Sequence, residues 1–415
     1  MAGNVLLLQG PMGWFFHRFA EELRDAGLRV YKVHFNGGEE MFYRGPDVLR
    51  YTDPVEHWPA WLNRELEDLE IDQVYLYSDC RIYHRLAREI CAERNIPVYC
   101  FEEGYLRPHY ITLDCHGVHA NADIPKDPSA FPPVLHKAPN PQQIGSTLRT
   151  ACINTAIYYW GGIFYLWRYR HYRHHRYFGP IYGGWGLIMR GLRFLAQSRA
   201  DRPREVGILK SLEKRYFFVP LQVHDDAQVT EHSHFGSVSR FIESVMGSFA
   251  AHAPEDCHLL IKHHPLETRV PDYRLLIGDI ANTLGIAGRV HYLHHLHLPT
   301  ILQHARGVVT INSTVGMSAI YHRTPVISLG RAIYDIPGLS FQGELDAFWR
   351  NPGKVDESLY QRFRHYLISE TQANGNFWTP LPGLTNPTGV RWSRMPWLKI
   401  ENTAPPQTQT GTGAV

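Results

Sequence analysis

At 415 residues, 44% hydrophobic and 20% charged, the chain is long enough for two ordinary domains and is not of a globally disordered composition. A formal net charge of +2 excludes a pervasive nucleic-acid-binding surface, so any basic feature is local. The six cysteines (Cys80, Cys91, Cys100, Cys115, Cys152 and Cys257) form no CxxC pair, which argues against a disulfide framework or zinc site and for reduced thiols in the cytosol.

The apolar run at residues 4–9 lacks a basic flank and a small-residue cleavage site, so it reads as a first strand and not as a signal peptide. It ends in the turn Gln9-Gly10-Pro11-Met12-Gly13. The spacing of Phe16, Phe19, Ala20 and Leu23 predicts a helix over 14–26. A second strand over 28–35 closes in Asn36-Gly37-Gly38, a helix follows over 58–71, and a strand over 74–77 runs into Ser78-Asp79-Cys80-Arg81. A helix over 83–94 leads to the strand Pro97–Phe101 and then to Glu102-Glu103-Gly104-Tyr105-Leu106-Arg107-Pro108. Such βα repetition predicts an α/β, doubly wound parallel sheet whose ligands bind at the carboxyl edge. The four turns at Gln9–Gly13, Asn36–Gly38, Asp79–Arg81 and Glu102–Arg107 all fall on that edge. Each alone reads as an ordinary turn; together they suggest a cleft.

The middle changes character. No Asp or Glu occurs between Asp127 and Asp201, and residues 158–195 interleave aromatics such as Trp160 and Trp167 with Arg168, Arg170, Arg173, Arg176, Arg190 and Arg193. Amphipathic rings with arginine and no acid suit an anionic membrane interface. The uncharged run 150–167 is near the lower length limit for spanning a bilayer and is read as lying on its surface. An aromatic domain contact and a nucleic-acid patch remain open, since the same composition serves all three.

A second βα series starts at Tyr216. Strands are predicted over 216–221, 259–261, 290–293, 308–311 and 326–329, with helices over 238–249, 300–304 and 315–321 and one more near 357–369. The division implied is a first domain over 1–137, an aromatic-basic segment over 138–205, a second domain over 206–345, a helical or irregular extension over 346–401 and a disordered tail over 402–415.

Two constellations in the second half carry chemistry. Lys262-His263-His264-Pro265 closes a strand, since Pro265 cannot continue the ladder. Asn312-Ser313-Thr314 supplies hydroxyls and backbone N–H groups, which serve either as an ordinary helix cap or as an anion site. There is no Walker sequence, no GxGxxG and no acidic metal cluster. The pair therefore suggests a nucleotide phosphate met by hydrogen bonds and protons, with no metal and no further cofactor.

The ordered set QGPMGWFF at 9–16, HFNGGEEMFY at 34–43, YSDCRIYH at 77–84, FEEGYLRPHYITLD at 101–114, VPLQVHDDAQV at 219–229, KHHP at 262–265 and INSTVG at 311–316 resembles the KpsS/LipB-type capsule polysaccharide synthesis proteins over roughly residues 4–345. The resemblance implies two Rossmann-like domains facing a cleft (GT-B-like), with the aromatic-basic segment as a membrane-interface insert. It implies a retaining β-Kdo glycosyltransferase that takes CMP-Kdo as donor and lysophosphatidylglycerol as acceptor at the inner face of the cytoplasmic membrane, where a KpsC-type enzyme extends the product. By position, Lys262, His263, His264, Pro265, Asn312, Ser313, Thr314 and Gln222 would hold the CMP moiety, with His264 protonating or hydrogen-bonding the departing phosphate. KpsC-type enzymes carry Glu-Asp-Gly where this chain has Glu102-Glu103-Gly104, which implies Glu103 as nucleophile and Glu102 as acid/base or support. Arg107 would pair with the Kdo carboxylate, and Gln9, Gly10, Gly13, Asn36, Asp79 and Arg81 would line the donor or acceptor rim. Two rivals stand beside this reading: transfer of another CMP-activated 2-keto sugar such as a sialic acid, and a non-catalytic membrane adaptor.

Overall fold

The computed structural model describes residues 3–115, 117–133, 140–174, 197–224, 229, 233–265, 267 and 273–399. The first half contains β1 (Asn4–Leu7), α1 (Phe15–Asp25), β2 (Arg29–His34), α2 (Gly37–Phe42), β3 (Val48–Arg50), α3 (Trp58–Asp68), β4 (Ile71–Tyr77), α4 (Ile82–Glu93), β5 (Val98–Glu103) and β6 (Tyr110–Asp114). After α5 (Leu148–Phe164) and a helix over 197–211, the second half contains β7 (Tyr216–Pro220), α6 (Val238–His252), β8 (His258–Lys262), α7 (Arg274–Thr283), β9 (Val290–Leu293), α8 (Leu298–His304), β10 (Gly307–Thr310), α9 (Val315–Tyr321) and β11 (Val326–Ser328). The chain ends in α10 (Leu345–Arg350), α11 (Glu357–Glu370) and β12 (Gln372–Asn374).

Both halves are doubly wound. The first sheet orders β12-β6-β5-β4-β1-β2-β3 and the second β11-β10-β7-β8-β9. Within each, the parallel strands follow the same order, third-second-first-fourth-fifth, of a Rossmann-like unit. The topological switch point therefore lies between β1 and β4 in one half and between β7 and β10 in the other. Burial on both faces explains the unbroken apolar runs in β1 and β7. The GT-B-like arrangement implied by the sequence is the fold adopted.

Three strands lay outside the sequence expectation. β3 is three half-exposed or exposed residues, and β6 and β12 are antiparallel additions, β6 on β5 and β12 on β6. The strand expected to stop at Phe101 continues through Glu102 and Glu103, which pair with Thr112 and Ile111 of β6. The adjacent carboxylates thus sit on a hydrogen-bonded strand end and not in a loop.

The last segment returns to the first half. Phe377 packs edge-on against Phe15 and Tyr77, and Trp397 against Phe19. Between the halves, Arg331, just past β11, donates to Ala120 O. The loop bearing Ala120 is held by Asp79, just past β4, through Val118 N and Asn121 Nδ2. Lys126 Nζ adds bonds to Ala332 O and Ile333 O. These links join the carboxyl edge of one sheet to that of the other, so the two ligand-binding edges face each other.

Candidate active site

At the end of β5, the backbone N–H of Glu103 donates to Glu102 Oε1 at 3.0 Å, which fixes the Glu102 carboxylate beside the chain. Tyr77, at the end of β4, reaches Glu102 with its hydroxyl; burial first, then both carboxylates, raise the phenol's pKa well above its ordinary value. Burial likewise raises the Glu103 carboxyl, with Arg107 opposing and Glu102 reinforcing the shift. Arg107 is exposed and its Nε donates to Gly104 O at 3.4 Å. A Cβ on Gly104 would stand 2.0 Å from Tyr110 O, so the close approach of β6 requires glycine there. Gln372 of β12 accepts from Tyr105 N at 2.9 Å and donates to Thr112 Oγ1 at 2.9 Å. The far end of the chain therefore fixes the loop that follows the carboxylates.

At the facing edge, Gln222 Nε2 donates to Asn312 Oδ1 at 3.0 Å across the second switch point. Ser313 Oγ accepts from Val315 N, whereas Thr314 makes no side-chain cap. Tyr334 donates to Ser313 O, and a Cβ on Gly316 would collide with its hydroxyl at 2.1 Å. Lys262 Nζ donates to His263 O at 3.0 Å, and burial lowers its pKa to about 8 against the attraction of Asp201. His263 Nδ1 pairs with Tyr292 Oη at 2.6 Å; His264 is half-buried and Pro265 exposed. Among the described residues, no group of three or more His, Cys, Asp or Glu is arranged to hold a metal ion.

The rim residues of the first half are more closed than their sequence suggests. Gln9 Nε2 donates to the hydroxyls of Tyr158 and Tyr172 at 2.9 and 2.7 Å. Asn36, expected in an open turn, caps α2 through Gly38 N and Glu39 N and donates to the Tyr158 hydroxyl at 2.7 Å. Gly13 lies against Asn154, and a Cβ on Gly37 would stand 2.1 Å from Gly161 O, so α5 lies directly on α2. Asp79 is 1% exposed, its carboxylate taken by Arg88, Asn121 and Val118 N; it positions a loop instead of facing the cleft. Arg81 is buried at the same edge, beside Gly10 O.

The aromatic-basic segment has two faces. Asn154, Tyr158 and Gly161 turn inward, which makes that face an intramolecular contact. Ile153, Ile157, Trp160, Phe164 and Trp167 recur at helical spacing and are exposed, Trp160 by 71% and Trp167 by 70%. Arg168 stacks on Tyr165 and Trp167 and reaches Glu40 at 3.4 Å, Arg170 is exposed, and Arg173 pairs with Glu56 at 3.0 Å. Arg176, Arg190 and Arg193, the 402–415 tail and the Asp225–Gln228 part of the VHDDAQV motif lie outside the described residues. Among the described residues no helix is long and apolar enough to cross a membrane.

Tyr77, Asp201, Tyr334 and Gln372 were not legible as site residues. Asp201 had one signal, as the first acid after the long acid-free stretch; it lies beside Lys262 and accepts from His294 N and His295 N.

A family model for capsule polysaccharide biosynthesis proteins matches residues 72–378. The chain is 38% identical over 384 residues to the capsule polysaccharide export protein KpsS of Escherichia coli, covering 90% of this chain and 97% of that one. It is 38% identical over 398 residues to the capsule polysaccharide modification protein LipB of Neisseria meningitidis serogroup A, covering 91% and 92%. Among solved structures, the KpsC beta Kdo 2,7 transferase of Thermosulfurimonas dismutans aligns over 89% of this chain and 92% of that one, at 14% identity and a TM-score of 0.41. The identity and coverage of the two sequence relatives decide the matter: the chain belongs to the capsule polysaccharide biosynthesis protein family.

Proposed function

We propose that this protein is a retaining glycosyltransferase of capsule assembly that moves Kdo from CMP-β-Kdo to a lysophosphatidylglycerol acceptor. The observation that carries the reading is the pairing of a half-buried carboxylate of raised pKa, Glu103, with a cation-and-hydroxyl cluster on the facing sheet edge. In this reading Lys262, Ser313 and Thr314, and not a metal ion, meet the donor phosphate, with His263, Asn312 and Gln222 shaping that edge. Glu103 attacks the anomeric carbon, and the phosphate departs with the bonding pair and a hydrogen bond or proton from His264. The acceptor hydroxyl then attacks the same carbon from the opposite face, Glu102 takes its proton and the Glu103 carboxylate is released. Two displacements leave the anomeric configuration unchanged. Burial suits Glu103 to this task, because a desolvated carboxylate is a less stabilised and more reactive nucleophile.

The outer face of α5 is proposed to lie in the inner surface of the cytoplasmic membrane, where the acceptor is found and where a KpsC-type enzyme extends the product. Five exposed apolar residues beside the exposed Arg170 support a bilayer surface over a soluble protein partner. Of the two relatives, the one named for modification fits an enzyme more directly than the one named for export.

The test is mass spectrometry of a lysophosphatidylglycerol after incubation with purified protein and CMP-Kdo generated in situ. The expected product is one Kdo heavier than the acceptor. A product only with CMP-sialic acid assigns the sugar differently. No product and no CMP release from folded protein with lipid present leaves the adaptor and overturns the transferase.

A further inference from the structure

The proposed reaction gives no task to Arg81, a buried cation of the first half. Arg81 is 8% exposed and sits at the switch point between β1 and β4, at the start of the 12-residue helix α4. Its Nη1 donates to Gly10 O at 3.5 Å, the limit of a hydrogen bond, and its Nε has no partner. Its Cζ lies 5.2 Å from the centre of the Tyr77 ring. No carboxylate forms an ion pair with it among the described residues, whereas the neighbouring buried cation, Lys32, is paired with Glu39 at 2.7 Å. His84, behind it, is held neutral, first by burial and then by Arg81, with its pKa pushed down to about 3. A guanidinium buried without an ion-pair partner is costly, and the charge of a bound anion would offset that cost.

The surroundings point to an anion and to its kind. The first turn of α4 carries no acidic residue and no side-chain cap, so its N–H groups and the positive end of its dipole add to the arginine. Ser78, Cys80 and Ile82 are half-buried, which sets the guanidinium just beneath the surface. Tyr77 stands between Arg81, 5.2 Å from its ring centre, and Glu102, which its hydroxyl reaches, so an anion here lies on the far side of one tyrosine from the carboxylate pair. Tyr158 and Tyr172, which also feel the Arg81 charge, come from the segment whose other face exposes Ile157, Trp160, Phe164 and Trp167. A ligand that satisfies both features is an amphiphile with an anionic head.

We propose that Arg81 and the first turn of α4 form an oxyanion site for the phosphodiester of the lipid acceptor, whose acyl chain runs along the exposed face of α5. The proposal rests on the transferase reading for the acceptor's role but not for the binding itself. The acceptor hydroxyl is thereby held beside Glu102, and the donor's own anions are left to Lys262 and the hydroxyls of the second half.

Binding tests it without turnover. Short-chain lysophosphatidylglycerol below its micelle concentration, the uncharged monoacylglycerol of equal chain length, inorganic phosphate and CMP are each titrated into the full chain by calorimetry. The expected result is that Arg81→Gln weakens lysophosphatidylglycerol about 10- to 100-fold, the loss of one charge-assisted contact. CMP affinity and the weak affinity for monoacylglycerol stay as they are, and Arg81→Lys keeps most of the binding. The melting temperature of Arg81→Gln is expected to hold or rise, since an unpaired buried charge has been removed. Unchanged lipid affinity in Arg81→Gln overturns the proposal. So does loss of CMP instead, which assigns the anion to the donor, or a lowered melting temperature with every ligand lost, which assigns Arg81 to packing. Inorganic phosphate binding as tightly as the lipid makes this a free-phosphate site and also overturns it. Arg81-dependent lipid binding without any sugar transfer keeps this inference and removes the transferase.

Discussion

Lys262 and Glu103 illustrate how environment, not residue type, sets chemistry. Both end strands at carboxyl edges, both are withdrawn from water, and burial shifts both pKa values toward the neutral form. For Lys262 the folded pKa of about 8 lies below the ordinary 10.5. The folded chain therefore sheds this proton before the unfolded chain does, and stability rises with pH from about 8 towards 10.5 as that strain is relieved. A bound phosphate reverses the preference by favouring the ammonium. CMP affinity is accordingly expected to fall as pH rises through about 8, and calorimetry on Lys262→Gln is expected to show weaker affinity with that pH step gone. A persisting step in the variant would assign the titration to another group. The KHHP run was visible in the sequence as a strand end; the lowered pKa was not, because it depends on burial and on Asp201, supplied by a distant helix.

At the scale of elements, α5 shows where composition stops being informative. Its aromatic residues read alike along the chain, yet Tyr158 is 5% exposed and bonded to Gln9 and Asn36 while Trp160, two residues on, is 71% exposed. Successive helical residues point about 100° apart, so one face of the helix is the intramolecular contact that the sequence allowed, while the other exposes the apolar residues on which the membrane-interface reading rests. Association with anionic vesicles is expected to depend on the outer face alone. In flotation assays Trp160→Glu together with Trp167→Glu should abolish vesicle binding and leave CMP affinity intact, whereas Tyr158→Phe should retain vesicle binding and lose about 1–3 kcal/mol of stability through the unpaired amides of Gln9 and Asn36. Vesicle binding unchanged in the double variant would contradict the membrane assignment. The βα units were legible because their apolar runs are continuous and their helices periodic. β3, β6 and β12 were not, because three- and five-residue strands are defined by their partners: β12 pairs across some 260 positions, Gln372 with Thr112.

At the scale of the molecule, two sheets whose parallel strands share one order present their carboxyl edges to each other, and β12, late in the chain, returns to pair with the first sheet. Gln372 shows why that return matters, since a single side chain from β12 satisfies Tyr105 N and Thr112 Oγ1 around Gly104. Gln372→Ala leaves those groups unpaired and is expected to cost about 1–3 kcal/mol. Acceptor turnover should fall with CMP affinity unchanged, because the loosened loop belongs to the carboxylates and not to the donor phosphate. Loss of CMP binding in that variant would show instead that the halves depend on each other for the nucleotide.

A carboxylate nucleophile at the end of β5, acting on a donor held by the facing sheet, can be trapped and located by intact and peptide mass spectrometry. The protein is exposed to CMP-Kdo with and without the lysophosphatidylglycerol acceptor. A mass increase of one Kdo is expected on the peptide containing Glu103 when acceptor is withheld, with its disappearance when acceptor is added, and neither adduct nor product from Glu103→Gln. Product formed at an undiminished rate by Glu103→Gln, or an adduct that maps to another residue, would contradict it.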